Sequence, residues 1–385
     1  MEKKNTRRAR GERAMVNLAV MAEQIISFIA VYYILSASLN MKAGMTGIPD
    51  FGQAMFFAVG GIVVGNLATR IAAVIAAPEL GVTRGEAWKL VITQNTDFVA
   101  RLNEILPHKP GLSIAMILFS LVIAMILGGL LGWLASYPAL RLRGDYLAIM
   151  LLTASEGLRV LATYTVSIMG STPTVGLTAP NFFGFTGNAP LWTSVFALIM
   201  ALLTYVYMES FHNSPGGRLF RAVRDDEESA EALGKDVAKV RRDAMIIGSA
   251  FAALAGVVFS LNPWTTGSSI AAQSIFDRVF WTFWPWALMI LGGMASNRGV
   301  GLATTIVVAL LIGPIRLYKQ DIARLFHVQA VGIDVGYFAN ALEYILLGVL
   351  ILLVLLIRPR GIIPEPPSWT LKKDKIKEIA RKYQA

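Results

Sequence analysis

No cysteine occurs in this 385-residue chain. A disulfide framework, thiolate metal ligands and cysteine nucleophiles are therefore excluded. Histidine is nearly as scarce: His108, His212 and His327 stand far apart, in no HExxH or HxxxH pair, and give no basis for a metal site. No Walker pattern GxxxxGK followed by Ser or Thr is present, and GRLFRAVR, which begins at Gly217, is not one. Without a GxSxG elbow or a zinc helix, a membrane protease or esterase has no support. Charge is thin as well, at 16% of residues against 55% hydrophobic.

What is plentiful is apolar sequence. The runs Ala14–Leu39, Leu112–Ala135, Tyr146–Ile168, Leu191–Met208, Ala244–Leu261, Val279–Ala295, Gly301–Ile315 and Phe338–Ile357 approach the roughly 20 residues that a helix needs to cross a bilayer. They recur almost from end to end, so no soluble domain is left over. The composition predicts an all-α fold, a polytopic transmembrane helical bundle surrounded by membrane lipid. Ala14–Leu39 is longer than a signal-peptide core of about 7 to 15 residues and reads as a retained span.

The net charge of +10 does not call for nucleic acid, because the basic residues sit in three blocks beside apolar runs. These are KKNTRRARGER at the N-terminus, the stretch Gly217–Asp243, and the tail from Arg358. Clustering of this kind is the positive-inside signal and places all three blocks in the cytoplasm. The expected organisation is a cytoplasmic basic N-terminus (1–13), a transmembrane region (14–357) with an external loop (78–110) and a cytoplasmic loop (210–243), and a cytoplasmic basic tail (358–385). A plasma-membrane protein with both termini inside is implied.

One segment complicates the count. Lys42–Ala77 is apolar in its second half but begins with GMTGIPDFGQ, where Gly44, Gly47, Pro49 and Gly52 disfavour a continuous helix. If the N-terminus is inside and this segment crosses once, the stretch from Gly217 falls outside and the charge rule breaks. A broken, re-entrant element near the N-terminus restores it. Non-helical backbone at membrane depth is tolerated only inside protein or along a watery cavity, so the segment reads as part of a transport path, the alternative being a surface loop between spans. Gly61 with Gly65, and Gly128 with Gly132, form GxxxG pairs that let helices approach closely.

Ionisable groups inside spans cost about 2.5 to 3.5 kcal/mol each at a helix centre, so Glu23, Glu156, Arg159 and Glu343 need reasons. Glu156 and Arg159 are three apart and share a helical face, where they neutralise each other. With Thr153 beside them they make one side of that helix polar, either as a buried pair that fixes helix orientation or as part of a path. Glu23 and Glu343 read as snorkelling or packing groups. The candidate pathway residues are thus Gly44, Gly47, Gln53, Thr153, Glu156 and Arg159.

The charge-rich stretch has helix punctuation. Ser214 and Pro215 read as N-cap and first helical residue, Asp225 or Asp226 restarts a second short helix, and Gly234 ends it. Leu219 with Val223, and Ala230, Leu233 and Val237, form short apolar stripes, marginal in isolation. Either a partner covers them or the stretch is a solvated loop that sets topology.

At this point the residues show a resemblance. GMTGIPDFGQAMFFAVGG resembles the Gly-rich motif of permease subunits in the branched-chain amino acid (LivM-like) family of ABC importers, and YPALRLRGDYLAIMLLTASEGLR resembles their Leu-Arg-Leu-Arg-Gly-x-Tyr segment. GRLFRAVRDDEESAEALGKDV is similar to the family's cytoplasmic loop, and MILGGMASNRGVG and LLIRPRGII to its closing elements. The resemblance implies a second permease subunit, two cytoplasmic ATP-binding subunits that hold ATP and Mg, and an external solute-binding protein. No cofactor is then expected in this chain. It further implies that the loop is the seat of the ATPase, with Glu227, Ala230, Glu231, Leu233 and Gly234 as contact candidates and Arg218, Arg221 and Arg224 holding the loop near the membrane. The solute would be a branched-chain or related amino acid, or, as in relatives, urea or a short amide. The residue reading also leaves open an ion-coupled secondary transporter. The chain departs from the family pattern at Asp50-Phe51-Gly52-Gln53, where Ser-Leu-Gly-His is usual, and in the long 78–110 insertion.

Overall fold

The computed structural model describes residues 2–142, 144–170, 176–262, 272–317, 335–358 and 360–365. Among them every regular element is helical. Helix α1 (Glu2–Leu39) runs on through a π-helical turn, Asn40–Gly44, and after the non-helical Gly47–Gly52 the chain resumes as α2 (Gln53–Ala76). Two short helices, α3 (Arg84–Thr93) and α4 (Asn95–Ile105), precede α5 (Pro110–Arg141), α6 (Gly144–Tyr164) and α7 (Ala189–Asn213). Next come α8 (Pro215–Asp225), α9 (Glu227–Ala232), α10 (Val237–Ser260), α11 (Val279–Gly292), α12 (Asn297–Ile315) and α13 (Val335–Ile357). Seven of these are long and apolar enough to cross a membrane, and Val279–Gly292 and Ala341–Val354 add two shorter apolar helices.

The centre of the bundle is α10, which packs along α5 and α2. Close approach is possible because glycines stand where the backbones meet. A Cβ at Gly256 would overlap the Phe57 carbonyl oxygen, and one at Gly132 would lie 2.5 Å from the Met245 carbonyl. The Gly128–Gly132 pair thus seats α5 on α10, as its spacing suggests. On α2 the tightest position is Gly60, against Ala253 of α10, rather than Gly61. An aromatic knot fills the space beside these contacts: Trp281 stacks on Phe57 at 4.1 Å, meets Phe259 edge-on at 4.7 Å, and lies 5.7 Å from Tyr32. Such pairs add about 0.5 to 1.5 kcal/mol each beyond their buried area.

Contacts fix the direction of each pass. The Ser27 hydroxyl lies 3.0 Å from that of Ser194, and Tyr33 packs on Tyr205, so α1 and α7 run the same way. Since α7 ends at the Ser214 cap of α8, α1 also ends there, and Arg224 of α8 touches it at Gly44. From that end α2 runs back as one continuous helix, and Asn66 and Arg70 on it reach the carbonyls of Ser167 and Ile168 just beyond α6. Residues 42–77 are therefore broken but not re-entrant: the break stands at one end of the bundle, and α2, at 24 residues, is long enough to cross.

The start of α1 and the end of the described chain lie at opposite ends of the bundle. Alpha-helix α1 enters from the end opposite α8 and α9, whereas Ile363 and Glu365 are pinned beside Gly292 and Arg224 at the α8–α9 end. The parity count that demanded a re-entrant turn began from an inside N-terminus. Starting α1 from the other side lets residues 42–77 cross once and still keeps Arg218, Arg221, Arg224, Arg241 and Arg242 together at one end. The side chains of Lys3–Arg13 and Arg316, residues Arg143, 171–175, Lys319, Arg324 and His327, and the tail from 366 lie outside the described residues.

Candidate functional site

At the break, three polar side chains are wholly buried together. Lys42 donates to Asp50 and to Gln53, and all three are 0% exposed. Gln53 in turn donates to the Ser38 hydroxyl and to the Leu35 carbonyl at 3.1 Å. The other Asp50 oxygen accepts from the Gly52 amide at 2.8 Å, and its backbone carbonyl accepts from the Trp286 indole at 2.9 Å. The Lys42 stem lies against Gly248 of α10, and its ammonium sits 4.5 Å over the Phe56 ring. The Lys42, Asp50 and Gln53 side chains thus all have partners, as burial of a charge pair requires. Beside it, Asn40 donates to Asn297 at 3.0 Å and accepts from the Ala295 amide at 2.7 Å, tying the end of α1 to the start of α12.

The α8–α9 element presses on the underside of this turn. Ser214 caps α8 by accepting from the Gly217 amide, with Pro215 in the first turn, and Asp226 caps α9 by accepting from the amides of Glu228 and Ser229. The Ser229 hydroxyl and these amides hold the Asp226 carboxyl below the usual carboxylate range. Gly234 follows α9 with φ +71°. Arg224 Nη1 donates to the Gly44 carbonyl at 2.8 Å, and its stem packs on Gly47, whose own φ is +70°. Glu365 pairs with Arg224 at 2.9 Å and Arg221 at 3.3 Å. Burial alone would depress the Arg224 guanidinium, but the Asp225 and Glu365 carboxylates more than offset it and raise its pKa above the ordinary value. Glu227 pairs with Arg241 at 3.1 Å.

The loop residues therefore divide. Arg221, Arg224, Glu227 and Ala230 face this chain's own bundle, Ala230 being only 5% exposed, while Leu233 is 78% exposed and Arg218 and Glu231 are exposed. Beside α9 a groove of ≈ 360 Å³ opens between α8 and α10, floored by Leu219, Phe220 and Ile247 and rimmed by Lys235, Lys239 and Asp243.

The pathway residues do not come together. Gly44 and Gln53 are buried at the break, and Gly47 is exposed beneath it. Thr153, Glu156 and Arg159 stand on the outer side of α6, which buries Leu147, Leu151 and Ser155 instead. The predicted pair forms, with Arg159 Nε 2.7 Å from Glu156, and a residue absent from the sequence reading completes it: Arg278, at the start of α11, reaches the other Glu156 oxygen at 3.0 Å. Lys42 was missed as well. Its signal was a lysine and an aspartate flanking a glycine-rich break inside apolar sequence, where neither charge has water to fall back on. Glu343 is buried on α13. No group of three or more metal-ligating side chains exists among the described residues.

The described residues form a polytopic helical bundle in which a capped two-helix element is clipped to a polar chain break. The chain belongs to the family described as branched-chain amino acid transport system / permease component, which it matches over residues 21–355. It is 36% identical to a probable branched-chain amino acid transport permease protein, LivM, of Methanocaldococcus jannaschii, across 94% of this chain and 99% of the relative. It is 25% identical to the high-affinity branched-chain amino acid transport system permease protein LivM of Escherichia coli, across 88% of this chain and 69% of the relative. The LivM protein of Salmonella typhimurium is also 25% identical, across 95% and 74%. No solved structure matches.

Proposed function

We propose that the chain is a permease subunit of an ABC importer for branched-chain or related amino acids, driven by ATP bound and hydrolysed on separate cytoplasmic subunits. The observation that carries this reading is the Arg224–Gly44 contact, which joins the α8–α9 element to the end of α1 and the buried turn behind it. In this account the α8–α9 end faces the cytoplasm, and the ATPase seats on Leu233, Glu231 and the groove between α8 and α10. Movement of α8 then pulls on Gly44 through Arg224 and shifts the Lys42–Asp50–Gln53 turn relative to α11 and α12. A second permease subunit covers the outer side of α6, and an external binding protein delivers solute at the opposite end, where α3, α4 and the 176–188 loop lie. The kinship with amino-acid permeases supports the solute class, and the mechanism is alternating access between the two ends.

Leu233→Asp tests the seat. The side chain is 78% exposed, so the substitution spares the fold, yet it sets a charge in the middle of an interface; truncations at such central apolar contacts cost about 2 kcal/mol or more. The expected result is that ATPase co-purifying with the native chain from membranes is lost, or no longer responds to solute, in Leu233→Asp and in Glu231→Lys. Equal recovery and equal stimulation in all three would remove the element from the ATPase contact.

A further inference from the structure

The last described residues, 360–365, lie as a strap across the turn between α11 and α12. A helix leaves its final carbonyls without intrahelical partners, and the strap answers two of them: the amides of Ile362 and Ile363 donate to the Leu291 and Gly292 carbonyls at 2.8 and 3.0 Å. Glycines let the two backbones touch. Gly293 and Gly361 stand at φ +111° and +76°, and a Cβ at Gly361 would collide with the Gly293 amide nitrogen. The turn is held from its other side by Asn40, which accepts from the Ala295 amide at 2.7 Å. Ala295 itself has φ +63°, uncommon for a residue with a Cβ. Such a conformation persists only where its surroundings impose it, so the turn and its strap make a stiff anchor.

At the other end of the strap Glu365 reaches α8. Its two oxygens meet Arg224 Nη1 at 2.9 Å and Arg221 Nε at 3.3 Å, and these arginine side chains are only 23% and 12% exposed. Arg221 and Arg224 are three apart and share a face of the helix. Their other side-chain partners, Asp225 on Arg224 and His212 on Arg221, belong to α8 itself and to the end of α7 beside it. Glu365 is the partner that comes from the α11–α12 side. Helix α8 therefore has two ties to the bundle, one to the Gly44 carbonyl of α1 and one through Glu365 to the anchored turn. Both arginines converge on a single carboxylate, which opposes sliding of α8 but permits rotation about that point.

We propose that Glu365 is the fulcrum of the α8–α9 element: the strap fixes it to the α11–α12 turn, and α8 swings about it, so that displacement of α8 is delivered to Gly44 and not lost as sliding of the loop. Glu365 is thus a positioning residue, acting through Arg224. The inference rests on the permease reading above and adds a second joint to its mechanism.

The absence of cysteine from the chain makes spin labelling direct. Labels are placed in pairs at the exposed positions Arg218→Cys on α8, Pro364→Cys on the strap and Tyr137→Cys on α5, in proteoliposomes holding the complete complex with its other subunits free of cysteine. A non-hydrolysable ATP analogue is expected to change the Arg218–Tyr137 distance and to leave the Arg218–Pro364 distance as it was, because rotation preserves distances to the pivot. Glu365→Gln is expected to broaden the Arg218–Pro364 distribution. It is also expected to cut the solute taken up per ATP hydrolysed by about tenfold, the scale of one charge-assisted hydrogen bond, whereas Glu365→Asp retains most of the native value. Native uptake per ATP in Glu365→Gln, or an Arg218–Pro364 distance that changes as much as the Arg218–Tyr137 distance, overturns the proposal. The distances in the chain that keeps Glu365 decide the matter even where Glu365→Gln does not assemble. Failure of the permease reading shows separately: the unlabelled native complex then takes up no solute with ATP, and both fall.

Discussion

Asp50→Asn is expected to lower the stability of the purified protein by about 3 to 5 kcal/mol, the usual consequence of stripping one partner from a buried ion pair. The geometry explains the size. Lys42 and Asp50 are both 0% exposed, and the lysine stem is enclosed by Gly248 and Phe56. With the charge of Asp50 removed, Gln53 is the remaining acceptor for the ammonium, and no water can reach it. Asparagine keeps an oxygen for the Gly52 amide, so the loss reports the charge rather than the turn. The double variant Lys42→Met with Asp50→Asn removes both charges and is expected to recover most of the stability, because a well-packed apolar replacement avoids desolvation on both sides. Thermal unfolding followed by size-exclusion recovery reads the order directly. A double variant as weak as the single one would mean that the turn depends on hydrogen-bond geometry and not on charge pairing.

The second large effect is steric. Gly256→Leu places a side chain where even a Cβ overlaps the Phe57 carbonyl oxygen and falls 3.2 Å from the Gly60 Cα. These are backbone atoms of α2, so relief requires the two helices to separate. Overpacking costs typically about 1 to 3 kcal/mol and more where the backbone must move. Separation also disturbs the Phe57–Trp281–Phe259 knot. The expected outcome is loss of the folded chain from membranes, measured by recovery after solubilisation. Gly348→Ala, where a Cβ meets nothing within 4 Å, is the control and is expected to be silent. If Gly256→Leu is recovered at native levels, the α2–α10 approach is looser than described.

Local chemistry was legible in the sequence, and long-range placement was not. The caps at Ser214 and Asp226, the stop at Gly234 and the Glu156–Arg159 pair all depend on residues at most a turn apart, where spacing alone fixes geometry. Lys42 and Asp50 are only eight residues apart, but a break of undetermined path lies between them, so helical periodicity could not join them. Arg278 reaches Glu156 from another helix, and no rule of spacing relates the two. Ala230 looked like a contact for a partner because its stripe was too short to bury itself, yet α10 returns to cover it. The membrane count rested on a different kind of signal. Charge clustering orders loops relative to one another, and one assumed starting side then propagated through every later pass. The short α11, at Val279–Gly292, lies within the apolar run Val279–Ala295 that the sequence already marks.

The most direct test of the central claim is uptake of labelled leucine into proteoliposomes that hold the complete complex, with ATP on the α8–α9 side and no ion gradient. The account predicts uptake that requires ATP, persists in the presence of proton and sodium ionophores, and disappears in Leu233→Asp. Uptake by this chain alone, without nucleotide and in step with an imposed proton or sodium gradient, would contradict it and identify an ion-coupled transporter.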